Sequence, residues 1–329
     1  MPSIKSPRKG SMQFWPRKRA RRIVPRIRHW PVVNDVKPLG FIGYKVGMTS
    51  VLVKDNSPNS ITKGKNIVLP VTVVECPPVK ILSVRFYKNH YFSKQVVKEI
   101  FVDSNKYLRR RFPNINKLKS SLDEINDEFL NSVDDVKVVI YSQVYLTGIG
   151  KKTPDLLEIA VGGKTVQEKF AAVKGLVNKP INFKDLFSEM SFVDIVAVTK
   201  GKGYQGPVKR FGVSIRSHKA EKTKRGPGSL GPWVAQGHIM YRIAYAGQMG
   251  FFQRRFYNNL ILHIGEDPTK INVKGSYLHY GIIKNPYVLI KGSIAGTPKR
   301  PVVFTASMRA QTHKPVNYEL REIRLLSNQ

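Results

Sequence analysis

The chain has 329 residues, 41% of them hydrophobic, enough for one large or two medium domains with a sizeable core. Its 56 Lys and Arg face only 22 Asp and Glu, and a formal net charge of +34 calls for a polyanion to offset self-repulsion, nucleic acid first and an anionic membrane surface second. No run approaches the ~18 apolar residues of a membrane span, no apolar stretch near the N-terminus resembles a signal peptide, and the lone Cys76 excludes an internal disulfide framework and fits a reducing compartment.

Residues 1–34 carry ten Lys and Arg and no acid; the first carboxylate is Asp35. "PRKRARRIVPRIRHWP" (16–31) is interrupted by Pro16, Pro25 and Pro31, which argues against a long helix. It reads as an extended basic arm with Phe14, Trp15 and Trp30 as aromatic punctuation, the alternative being a solvated tail. "PLGFIGYKVGMTSVLVKD" (38–55) reads as a hairpin, two β-rich runs around Gly43 and Gly47, ending at a turn-like "DNSPNS". "NIVLPVTVVECPPVKILSVRFY" (66–87) gives two strands separated by Pro77 and Pro78. "INKLKSSLDEINDEFLNSV" (115–133) places Ile115, Leu118, Leu122, Ile125, Phe129 and Leu130 at helical spacing, with "DEINDE" as the solvated face.

"VKVVIYSQVYL" (136–146) and "DLLEIAVGG" (155–163) read as strands. "TVQEKFAAVKGL" (165–176) is a helix opened by a Thr165–Glu168 capping box. Strand patterns return in "FVDIVAVTKG" (192–201), "HIMYRIAYAG" (238–247), "NLILHIG" (259–265), "YVLIKGSI" (287–294), "PVVFTAS" (301–307) and "NYELREIRLL" (317–326). Strands, then a mixed segment, then strands again describe a mainly β protein interrupted by an α+β insertion at about 81–185. Charge divides the same way. Residues 80–190 hold 19 basic and 13 acidic side chains, whereas residues 200–255 hold twelve basic ones against Glu221 alone.

Catalytic motifs are weak. "GKGYQG" (201–206) matches G-x-G-x-x-G through Gly201, Gly203 and Gly206, and Glu221 lies where a ribose-binding acid would fall. A dinucleotide fold needs the third glycine to open a helix, and Pro207, Gly212 and an alternating "VKRFGVS" speak against one. The seven histidines form no pair at metal-ligand spacing, and no Walker sequence occurs. The expectation is a protein with no catalytic, cofactor or metal site.

"HKAEKTKRGPGSLGPW" (218–233) has neither helical nor strand period. Structured RNA offers such a segment phosphates for its cations and crevices for a backbone poor in side chains, while glycine allows close approach and proline limits the entropy of ordering. It reads as an RNA-ordered finger with Trp233 as a stacking or wedge residue; the alternative is a loop whose Trp233 packs on the body. The expected phosphate partners are Arg17, Lys18, Arg19, Arg21 and Arg22 in the arm, and Lys219, Lys222, Lys224 and Arg225 in the finger. "AYAGQMGFFQRRFYNN" (244–259) adds Gln248, Gln253, Arg254 and Arg255 as donors, with Phe251 and Phe252 as packing residues. A DNA-compacting protein ranks below RNA binding, because the finger supplies no helix for a major groove.

The blocks "FWPRKRARRIVPRIRHWP", "FIGYKVGMTSV", "VDIVAVTKGKGYQGPVKRFGV", "KTKRGPGSLGPW", "AGQMGFFQRR" and "HYGIIKNPYVLIKGSIAG" resemble, in order and at compatible spacing, the large-subunit ribosomal protein L-three family in its longer archaeal–eukaryotic form. The resemblance runs from about residue 13 to 307 and is loose in 81–185 and the last twenty residues. It implies a six-stranded β-barrel of the translation-protein type (36–80 with 186–329), an inserted α+β domain (81–185), a basic N-terminal extension (1–35), and a central loop (about 202–256) that penetrates large-subunit rRNA. It further implies an early-assembling, non-enzymatic constituent of the cytoplasmic ribosome beneath the peptidyl-transferase region. Its partners would be 23S-type rRNA and neighbouring ribosomal proteins, and indirectly tRNA and translation factors, with the tip Trp233 near the site of aminoacyl-tRNA accommodation. Lys200, Lys202, Lys209, Arg210 and His218 join the expected RNA contacts, and Gly228, Ser229 and Gly231 would fix the bend of the loop. Lys224 stands where eukaryotic relatives have histidine, so a modification of that histidine is not expected here.

Overall fold

The computed structural model describes residues 7–228, 230, 239, 242–309 and 316–325, and the protein is mainly β. Its first strands are β1 (Gly40–Asp55), β2 (Asn66–Glu75), β3 (Val79–His90), β4 (Ser93–Phe101), β5 (Asp135–Ser142) and β6 (Leu156–Ala160). Then come β7 (Phe192–Val198), β8 (Tyr204–Gln205), β9 (Gly247–Gln248), β10 (Gln253–Gly265), β11 (Tyr287–Lys291), β12 (Pro301–Ala306) and β13 (Tyr318–Arg324). The helices are α1 (Ile115–Leu118), α2 (Asp127–Asn131), α3 (Val166–Leu176), α4 (Phe183–Leu186) and α5 (Pro207–Phe211). The chain divides into two compact units: one joins the residues up to Arg21 with Val198–Gln253, the other comprises Arg22–Ala197 and Arg254–Gln329.

In the larger unit the main sheet runs β12-β7-β10-β11-β2-β1-β13, and β1 also pairs with β12, so six of its strands form a closed cycle of pairings. Strand β1 makes this possible through its length. Gly40–Tyr44 pair with β12, Ser50–Asp55 pair with β13, and the other edge follows β2. The expected hairpin at 38–55 is therefore a single 16-residue strand. Its glycines mark a bend and a close approach rather than a turn: the register shifts between Lys45 and Gly47, and a Cβ at Gly43 would lie 2.8 Å from Val74 Cγ1. The turn after β1 is tied by the Asp55 carboxylate, which accepts from Ser60 Oγ (2.5 Å), Thr62 Oγ1 (2.6 Å) and the Ser57 N–H (2.9 Å).

A second sheet of the same unit runs β4-β3-β5-β6, all antiparallel. The expected helix over 115–133 is broken into α1, a 3-10 turn at Leu122–Glu124 and α2. The break has a tertiary cause: Lys119 bridges Phe101, and the Ser120 N–H donates to Phe101 O (2.9 Å), so the chain continues the sheet edge where a helix would have turned. Ile115, Leu122 and Leu130 are buried nonetheless, which explains why their spacing imitates one helical face. α3 forms with the capping box its sequence announces, Glu168 N–H donating to Thr165 Oγ1 (3.3 Å) and Thr165 N–H to Glu168 Oε2 (3.4 Å). The strand expected at 238–247 falls partly outside the described residues; of the rest only Gly247 is in a strand.

One apolar cluster joins both sheets, with Phe41, Ile42, Val74, Phe304 and Val196 beside Val84, Phe86, Val138 and Ile140. Full burial of side chains this size contributes about 1.5–3 kcal/mol each. Val24, Ile27 and Trp30 pack against the same cluster, so the 22–31 part of the expected arm is anchored to the β body and not merely extended. A second cluster includes Tyr44, Val51, Val73, Leu262, Leu289 and Tyr280, and the last of these meets the buried carboxylate of Glu75. Glu75 Oε1 accepts from the Lys284 N–H (3.0 Å), the Asn285 N–H (2.9 Å) and Asn285 Nδ2 (2.7 Å), and Oε2 accepts from the Tyr280 hydroxyl. Burial, then the Glu75 carboxylate, push the Tyr280 phenol far above its ordinary pKa.

Candidate nucleic-acid interface

The smaller unit gathers the two most cationic stretches of the sequence. The residues up to Arg21 together with Val198–Gln253 hold seventeen Lys and Arg and a single acid, Glu221. What organises so much charge is a small set of aromatic rings and backbone carbonyls. Phe211 and Phe252 are buried; Trp15 and Phe211 lie with ring centroids 6.3 Å apart, and the Arg17 guanidinium sits 4.3 Å from the Phe211 centroid and 5.6 Å from that of Trp15. Arg8 stacks over Trp15 at 5.7 Å and donates to Arg242 O (2.8 Å), while Arg19 lies 5.5 Å over Phe251. The Ala20 N–H donates to Phe251 O (2.8 Å). An arginine over a ring keeps its charge and its outer N–H groups, at a gain of about 0.5–1 kcal/mol per exposed pair.

The base of the loop is a clasp between 199–205 and 247–252. Thr199 N–H donates to Phe252 O (2.9 Å), Lys202 N–H to Met249 O (2.9 Å) and Met249 N–H to Gly203 O (2.8 Å), while β8 pairs with β9. Gly206 caps α5, with Pro207 at its first position, and Gly212 closes it in the left-handed conformation. A helix therefore does follow the third glycine of "GKGYQG", against the sequence expectation, but it has only five residues. The preceding strand, β7, pairs antiparallel with β12, so the parallel βαβ unit that gives the motif its meaning is absent from this pairing. Beyond α5, the Arg216 N–H donates to Lys224 O (3.0 Å), closing a loop on which His218, Lys219, Lys222 and Lys224 are all exposed.

Within the smaller unit, the sequence-predicted cations and Gln248 fall into two groups. Lys18, Arg19, Arg21, Lys200, Lys202, Lys209, His218, Lys219, Lys222, Lys224 and Arg225 are exposed in the smaller unit. Among the described residues, no ion pair joins any of them to a carboxylate. Arg17, Arg210 and Gln248 are half-buried there and hold the unit together. Arg210 Nε and Nη1 donate to Gln248 O (3.0 Å) and Tyr245 O (2.8 Å), and Gln248 Nε2 donates to Met249 O (3.1 Å) and Gly250 O (3.2 Å). Gly228 is exposed with φ 89°. Ser229, Gly231 and Trp233 lie outside the described residues.

Arg22, Arg254 and Arg255 belong to the larger unit. Arg22 is exposed; Arg254 is half-buried, and burial lowers its pKa from the ordinary arginine value, as it does for Arg210. Arg255 donates to His29 O (3.3 Å) and contacts Met308 Sδ. Sequence reasoning passed over Arg8, Arg216 and Arg242, whose only signal was membership of the same basic stretches.

The sequence model of the family described as Ribosomal protein L3 matches residues 1–327. The chain belongs to the ribosomal protein L3 family. Among its L3 relatives are three named large ribosomal subunit protein uL3. The one from Archaeoglobus fulgidus is 42% identical over 313 residues, covering 92% of each chain. That of Caldivirga maquilingensis is 42% identical over 333 residues, covering 97% of this chain and 94% of its own. That of Pyrobaculum aerophilum is 43% identical over 324 residues, covering 95% and 94%. In this L3-family chain, no helix among the described residues is long and apolar enough to cross a membrane.

Proposed function

We propose that this protein is a structural constituent of the large ribosomal subunit that binds large-subunit rRNA near the peptidyl-transferase centre and supports early subunit assembly. The observation that carries the reading is the smaller unit: exposed cations without carboxylate partners among the described residues, presented on a clasped scaffold, in a member of a ribosomal family. Phosphate and sugar contacts dominate such binding, so the work is positioning rather than base reading. The six-strand cycle of pairings is read as a barrel of the translation-protein type, the four-stranded sheet with α3 as the inserted domain of 81–185, and 1–35 as the basic extension. The expected neighbours are other large-subunit proteins, in the cytoplasmic ribosome, and the reading requires no catalytic residue.

The experiment is retention of the protein on large subunits through a rising salt wash. Replacing Lys222, Lys224 and Arg225 together by glutamine removes three phosphate contacts, and the slope of log K against log[salt] falls by about 2, at ~0.7 per contact on single-stranded RNA. An unchanged slope counts against the finger as an RNA contact.

The tip, Trp233, is proposed to stack or wedge near the site where aminoacyl-tRNA is accommodated. Trp233→Ala leaves the folded body intact and slows accommodation, a base–aromatic stack being worth about 1–3 kcal/mol. Wild-type accommodation rates in mutant ribosomes would remove the tip from the mechanism.

A further inference from the structure

The larger unit carries a second cationic surface that its near-balanced local charge conceals. Between Asp103 and Asp123 the chain holds Lys106, Arg109, Arg110, Arg111, Lys117 and Lys119 and no acid. All six are exposed, and among the described residues none is ion-paired. Three nearby acids have partners of their own. Asp103 accepts from the Tyr141 hydroxyl (2.5 Å), Asp123 pairs with Lys174 (2.5 Å), and buried Asp155 pairs with Lys151 and accepts from the Tyr44 hydroxyl (2.8 Å).

The arginines are also held in place from below. Arg109 and Arg110 lie on a 3-10 turn, Leu108–Arg110, that Arg111 caps and whose Leu108 is fully buried against Leu82, Val139 and Tyr141 on the face of the β4-β3-β5-β6 sheet. Ile115 is fully buried in the same cluster, and Phe112 meets Phe101 with centroids 6.0 Å apart. The Tyr107 ring stacks on Tyr145 at 4.0 Å, and Arg111 Nη1 donates to Pro154 O (3.3 Å), which brings the exposed Lys152 into the same neighbourhood. A mobile surface lysine loses its rotamer freedom on binding. Here the backbone under two adjacent guanidinium forks is already fixed, and that fork matches phosphate oxygens in a bidentate way that lysine does not.

We propose that Lys106, Arg109, Arg110 and Arg111, with Lys117 and Lys119, form a second rRNA anchor whose ligand is the phosphate backbone of a structured RNA segment. The proposal rests on the rRNA-binding reading given above. Its arginines belong to a different unit from the finger, so the two can be scored separately in one experiment.

That experiment is phenylglyoxal modification of the full-length protein, read residue by residue by mass spectrometry, in three states: free, in large subunits, and after nuclease digestion of those subunits. The expected result is that Arg109, Arg110 and the finger's Arg225 all react in the free protein, are shielded at least tenfold in the subunit, and react again once the RNA is digested. Arg109 and Arg110 reacting freely in the subunit while Arg225 is shielded would overturn this anchor and leave the rRNA reading standing. Shielding that survives nuclease would mean a protein neighbour and overturn it too. Loss of shielding at all three would take the rRNA reading with it. Arg109→Gln/Arg110→Gln, which removes charge without burying anything new, should reduce the salt slope by about 1.8, at ~0.9 per duplex phosphate contact. An unchanged slope in that variant also overturns the proposal.

Discussion

Replacing Gly250 by alanine will open the clasp at the base of the basic loop. Gly250 is buried at φ 71°, and a Cβ there would overlap the Lys200 carbonyl oxygen and lie 3.0 Å from Lys202 N and 3.1 Å from Gly201 Cα. Those neighbours are backbone, so no side chain can rotate away. The left-handed conformation adds about 1 kcal/mol for a non-glycine residue, and overpacking against fixed atoms about 1–3 kcal/mol more. Gly203 supplies the comparison: its φ is 67°, but nothing lies within 4 Å of its Cβ position, so Gly203→Ala incurs the conformational term alone. The measurement is amide hydrogen exchange at Lys202 and Met249, whose N–H groups close the clasp. Exchange should rise roughly thirtyfold or more for Gly250→Ala and about fivefold for Gly203→Ala, from about 2 and 1 kcal/mol of local opening. Equal effects would mean that steric approach at Gly250 does not hold the loop. Because the clasp fixes where Lys200, Lys202 and Lys209 emerge, Gly250→Ala should also weaken retention on large subunits.

The second large effect is expected at Glu75. Glu75→Ala leaves the Tyr280 hydroxyl, the Asn285 amide and the Lys284 and Asn285 N–H groups without their acceptor in a buried site. Unmet buried donors are costly, and a loss of about 3–5 kcal/mol is expected, read from the urea midpoint. Glu75→Gln separates hydrogen bonding from charge. Its remaining oxygen can serve the three donors on Oε1, and its NH2 can donate to the Tyr280 oxygen once that hydroxyl rotates. The loss should then stay near 1 kcal/mol. Equal destabilisation by alanine and glutamine would show that the negative charge, and not the acceptor geometry, fixes the 280–285 segment.

Much of the fold was legible wherever local pattern and tertiary environment agree. The strands around Pro77 and Pro78, the capped helix α3 and the late strands β10 to β13 follow from alternation, caps and β-branched runs, and the structure places strands or helix there. Legibility failed where a long-range partner overrode the local signal. Gly43 and Gly47 have turn composition but sit inside one strand with partners on both edges. The 115–133 segment has helical spacing, but its centre is claimed by Phe101 at a sheet edge. β4 gave no signal because Ser93–Lys98 are exposed on both faces, so no apolar alternation marks the strand. Within the candidate interface, composition marked the cationic stretches but not which cations are structural: nothing in "KRFG" distinguishes exposed Lys209 from Arg210, which braces two carbonyls.

Charge, its segregation along the chain and the family blocks were determined by the sequence alone, because they depend on residue identity and order. Tertiary structure decided which cations turn inward onto Trp15 and Phe211, where the loop is clasped, and that Arg109, Arg110 and Arg111 stand beside a packed apolar cluster. Those outcomes depend on contacts between residues far apart in the chain, and such contacts leave no periodic trace in the local sequence.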